Sequence, residues 1–156
     1  MTEKKPLYES PGEKGKRGFE DLECYQLALD VMAKIHAFSK TLPVDEKYDL
    51  YAQIRRASKS VTGNIAEAYG RYHYLDSLHY YSIARGELNE TLSRLIESKV
   101  LEYITQPDFE LLYKLIRQTE QTPMAIWLTY DANVRVHRNM AIKSSMKINR
   151  TTPHRS

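Results

Sequence analysis

At 156 residues, with 42% hydrophobic and 28% charged side chains, the chain has the size and composition of one soluble globular domain that can bury a real core. No run approaches the roughly 18 uncharged apolar residues of a membrane span, and the charged stretch from Met1 to Gly18 lacks an apolar signal core. The lone Cys24 allows no internal disulfide, which suits a reducing cytoplasm. The net charge of +3 hides a division: residues 19–133 hold 12 Lys/Arg against 17 Asp/Glu, while residues 134–156 hold six Lys/Arg and no acid.

Residues 1–18 mix Pro6, Pro11, Gly12, Gly15 and Gly18 with charges, a composition expected to be disordered. A first helix is predicted from about Phe19 to Lys40, with Leu22, Tyr25, Ala28, Leu29, Met32, Ile35 and Phe38 as its buried stripe. Pro43 ends it, and Asp45 is the expected N-cap of a second helix reaching about Tyr72. There Leu50, Ile54, Ala57, Val61, Ile65, Ala68 and Tyr72 recur every three or four residues. Beside that seam run Arg56, Ser60, Asn64, Glu67 and Arg71, a polar stripe whose Ser and Asn are mediocre helix formers. Gly63 inside this helix calls for either a close neighbour or a bend.

A third helix is predicted from about Leu75 to Glu102, buried through Leu78, Tyr81, Ala84, Leu88, Leu92 and Leu95, with Gly86 open to close approach by another helix. Thr105, Pro107 and Asp108 form a helix start with a capping box. The fourth helix carries Phe109, Leu112, Ile116, Trp127 and Tyr130 and is expected to kink at Pro123. With no β-alternation, the chain reads as all-α: an antiparallel up-down-up-down four-helix bundle over residues 19–133, followed by a basic flexible tail over residues 134–156.

These residues resemble the four-helix-bundle family typified by the 23S ribosomal RNA intervening-sequence protein. The likeness is carried by Phe19-Glu20-Asp21-Leu22, Tyr25-Gln26-Leu27-Ala28, Gln53-Ile54-Arg55-Arg56-Ala57, Ser60-Val61, Asn64-Ile65-Ala66-Glu67, Gly70-Arg71 and Ala84-Arg85-Gly86 with Leu88 and Glu90. The resemblance implies an antiparallel bundle assembling as a ring, commonly a homopentamer, with no established enzymatic activity. It also brings in the related accessory proteins of diversity-generating retroelements, thought to engage a reverse transcriptase and nucleic acid through a basic surface.

Several side-chain groups bear on function. Arg55, Arg56, Lys59 and Arg71 could form a positive belt for phosphate, repeated in a symmetric assembly, or could pair with Glu67, Glu87 and Glu90. Five tyrosines fall between Tyr69 and Tyr81, and Tyr72 and His73 among them offer aromatic faces to nucleic-acid bases or to a protein interface. The tail adds Arg135, Arg138, Lys143 and Lys147 to the nucleic-acid candidates. Gln53, Asn64, Glu67, Gly86 and Glu90 read as structural or interface positions. Asp76 and His79 have metal-ligand spacing but no second such pair, and neither a catalytic constellation nor a cofactor motif is visible. The expected role is a non-enzymatic homo-oligomeric scaffold for nucleic acid, RNA ahead of DNA, or for a nucleoprotein partner such as a retroelement reverse transcriptase. The alternative is a protein-interaction module that touches no nucleic acid.

Overall fold

The computed structural model describes residue 8 and residues 11–13 and 18–122; Trp127, Tyr130, the expected kink at Pro123 and the tail lie outside them. A 3₁₀ turn at Phe19–Asp21 leads into α1 (Glu23–Ser39), followed by α2 (Leu50–Gly70), α3 (Tyr74–Val100) and α4 (Gln106–Gln121). Among the described residues there is no strand. None of the helices is long and apolar enough to cross a membrane. Helices α1 and α3 each pack on α2 and α4, with the longest seam between α2 and α3, which makes the expected up-down-up-down bundle.

The core is a column of side chains with almost no exposure, including Ala28, Val31 and Ile35 of α1, Ile54, Val61 and Ile65 of α2, Leu88 and Leu95 of α3, and Ile116 of α4. All six positions predicted for α3 are buried. The seam also contains small hydroxyl residues. Ser58, Thr91, Ser98 and Thr119 are fully buried, and each donates to a carbonyl three or four residues back in its own helix. That local bond satisfies the hydroxyl where water is excluded, while the small side chain lets helices approach.

The structure corrects the sequence reading at several points. In α1 the buried line runs through Cys24, Ala28, Val31 and Ile35, whereas Leu29 and Met32 are only half-buried. Asp45 does not cap the second helix. It lies in a separate 3₁₀ turn, Val44–Tyr48, and α2 starts at Leu50 behind Asp49. The second helix stops at Gly70, and Tyr72 is 95% exposed rather than on the buried stripe. At 21 residues α2 is about 31 Å long, and only the 27-residue α3 reaches about 40 Å. A Cβ built at Gly63 or Gly86 would meet nothing within 4 Å, so no neighbouring helix within the subunit requires either glycine. Helix α4 ends at Gln121 with Thr122 already extended, as the residue before a proline must be, so the described helix ends ahead of Pro123.

The α3–α4 connection turns on Glu102, which sits in the left-handed region at φ 60°. Tyr103 N–H donates to the Ser98 carbonyl at 2.9 Å, closing the end of α3 in the way that normally recruits glycine. Relieving the Cβ strain gives the first prediction: Glu102→Gly should raise stability by about 1 kcal/mol, read as a higher urea midpoint. Downstream, Thr105 Oγ1 accepts from the Asp108 backbone N–H as the expected cap of α4.

Candidate nucleic-acid interface

Once Leu50, Ile54, Ala57 and Val61 face the core, the 3.6-residue period directs Arg55 and Lys59 to the flank of α2 that borders α1. The Arg55 guanidinium lies 4.8 Å from the Tyr51 ring centre, and its Nη1 donates to Tyr51 OH at 2.7 Å and to Ser39 Oγ at 3.4 Å. These contacts bind the start of α2 to the end of α1. They also bring Arg55 and Lys59 beside His36 and Lys40, themselves one turn apart. Four basic side chains thus gather from two helices.

Their electrostatic signature is legible at His36. Its pKa lies below the usual 6.5, first through burial, then through Arg55, with the Arg55 backbone opposing and Lys59 and Lys40 adding to the depression. Among the described residues, the charged side chains acting on it are Arg55, Lys59 and Lys40, all cations. His36 Nε2 is shut off from solvent without a hydrogen-bond partner. Because the folded pKa is below the unfolded one, the unfolded chain takes up the proton more readily. The stabilising contribution is therefore present above pH 6.5 and is lost as pH falls through and below that value. The urea midpoint should drop between pH 7.5 and pH 5.5 by more in the wild type than in His36→Gln, about ±0.5 pH around the values named.

The other candidates scatter. Arg56 is exposed and faces α3, where it pulls down the pKa of Glu87, which burial and then Glu90 push up. It thus lies opposite an acidic pair and apart from the cluster. Arg71 pairs with Glu67, donates to Tyr80 OH at 2.8 Å and stacks 4.6 Å over the Tyr80 ring. Its charge is matched at the far end of α2. About 20 Å of helix separates it, Tyr72 and His73 from Lys59. Asn64 donates to the Ser60 carbonyl of its own helix at 2.8 Å, and Gln53 to the Asp49 carboxylate.

The tyrosine run divides as well. Tyr81 is core, its hydroxyl pushed up to about 12 chiefly by burial, while Tyr80 is half-buried beneath Arg71 and Tyr72 stands outside. Among the described residues no third His, Cys, Asp or Glu joins Asp76 and His79. Arg135, Arg138, Lys143 and Lys147 lie outside the described residues. Sequence reasoning found Arg55 and Lys59 but missed His36 and Lys40. The usable signal was two basic pairs, each one turn apart, on either side of one short connection.

A family model described as the 23S rRNA-intervening sequence protein matches residues 20–123. A crystal structure from Bacteroides thetaiotaomicron VPI-5482, described as a protein with unknown function from the S23 ribosomal protein family, is similar with a TM-score of 0.61. The two chains are 26% identical, over 67% of this chain and 97% of that one. No curated protein matches the chain.

Proposed function

The chain belongs to the 23S rRNA-intervening sequence protein family, and from that premise we propose that it is a non-enzymatic, homo-oligomeric scaffold that binds RNA through the α1–α2 cation cluster. The observation that carries this reading is the Arg55 guanidinium bonded to Ser39 at the end of α1 and to Tyr51, with Lys59 one turn along α2 and Lys40 one turn from His36 acting on the same imidazole. Like charges gathered on one surface repel each other, and a phosphodiester relieves that repulsion while releasing its condensed counterions. Arg55 is held by Tyr51, so a planar donor is already oriented before an anion arrives.

Self-association belongs to the same proposal and is supported by the outer side of α3. Leu75, His79, Ser82, Gly86, Asn89, Ser93, Ile96 and Val100 are all exposed, alternate at steps of four and three, and carry no Lys, Arg, Asp or Glu. In a chain that is 28% charged, a helix face of this kind suits another helix better than water. Since the space around Gly86 is open within the subunit, Gly86→Arg should leave the fold's melting temperature within a few degrees. It should nevertheless shift the sedimentation mass to that of one copy; an unchanged mass would place the contact elsewhere.

Fluorescence anisotropy with labelled RNA across a salt series tests the binding reading. Affinity should fall steeply and linearly in log–log form as salt rises. Absence of binding at about 50 mM salt, or binding indifferent to salt, overturns it.

A further inference from the structure

Resting on that reading, we propose that the α2–α3 turn is a second subsite that stacks unpaired bases, so that the RNA held is single-stranded where it crosses this end of the bundle. The turn comprises only residues 71–73, a place where Gly, Asn, Asp or Ser would serve the backbone best. It instead displays Tyr72 at 95% exposure, its ring at 84° to that of His73 with centres 5.3 Å apart, so the Tyr72 ring is open to solvent.

The electrostatics of this end favour bases over phosphate. The guanidinium of Arg71 is matched by Glu67 and engaged by Tyr80, 4.6 Å from its ring centre, so it adds little unbalanced charge at this end. Planar groups with little net field suit the π-faces of nucleobases, and bases paired inside a duplex cannot reach them. The distance fits the same strand as the cation cluster. About 20 Å along α2 lies within the reach of one strand of roughly 4 to 16 nucleotides, the usual length of a single-stranded site.

The test is anisotropy of the full chain with unstructured RNAs of about 4, 8 and 12 nucleotides and a duplex of about 12 base pairs, lengths within the usual range of single-stranded sites, using wild type, Tyr72→Ala and Tyr72→Phe. Wild type should bind the 8-mer and 12-mer at least about tenfold more tightly than the 4-mer and the duplex. Tyr72→Ala should lose about tenfold on the two longer strands and little on the others, with Tyr72→Phe close to wild type. Equal losses on strand and duplex, or no loss, overturn the subsite while leaving RNA binding by the cluster standing. Failure of wild type to bind any RNA overturns the functional reading itself. A Tyr72→Ala chain that keeps its RNA affinity but changes its solution mass would make the turn a protein contact and end the stacking proposal.

Discussion

Changing Lys40, Arg55 and Lys59 together to glutamine is expected to weaken RNA binding by roughly 500- to 1,000-fold at about 50 mM salt and to make the salt slope shallower by about 2. Each phosphate contact on a single strand contributes a slope of about 0.7, so each of the three lost at this salt costs roughly tenfold. Glutamine keeps part of each aliphatic stem and a polar tip, and urea denaturation of the same variant reports what loss of the Arg55 contacts to Tyr51 and Ser39 costs the fold. Arg56→Gln should do much less, because Arg56 already faces the Glu87–Glu90 pair across α3. A triple variant with unchanged slope would move the phosphate contacts away from α1 and α2.

The second large effect lies in the core. Leu88 is 1% exposed on the seam that joins α3 to α2, and Leu88→Ala should cost about 3 to 4 kcal/mol. Truncation removes the transfer free energy of the lost methyl groups and leaves a cavity, because Ile54, Ile65 and Leu92 are held by their own helices and can only partly close it. Against a typical total near 5 to 15 kcal/mol, that loss is a large fraction of the fold's stability. Val44→Ala, at a position 84% exposed, should stay within about 0.5 kcal/mol. Urea denaturation of the two variants side by side checks both values.

The parts of the fold legible in the sequence are those where one local signal had no competitor. In α3 the apolar residues mark a single angle, and all six predicted positions are buried. Thr105 was legible as a cap because hydroxyl, proline and carboxylate stand together. In α1, apolar residues lie around much of the circumference, so periodicity did not fix the buried angle, and Leu29 and Met32 gave way to Cys24 and Val31. Asp45 sits behind Pro43 with an acidic first turn, a signal that serves a short 3₁₀ turn as well as a long helix.

The site was legible only as far as a single helix extends. Arg55 and Lys59 could be paired by counting residues. Their meeting with His36 and Lys40 depends on the antiparallel register of α1 and α2, which no local pattern states. Arg71 shows the converse. Its charge is plain in the sequence, but its alignment over Tyr80, nine residues on, exists only after the chain has turned. Asn64 bonds within its own helix, because a helix offers its amide a carbonyl one turn back.

Amide chemical-shift mapping of the full chain during titration with a short RNA tests the central claim most directly. The largest changes should fall on residues 36–40 and 55–59, the stretches that bring the four basic side chains together. Changes confined to residues 134–156, with those two stretches unmoved, would contradict it.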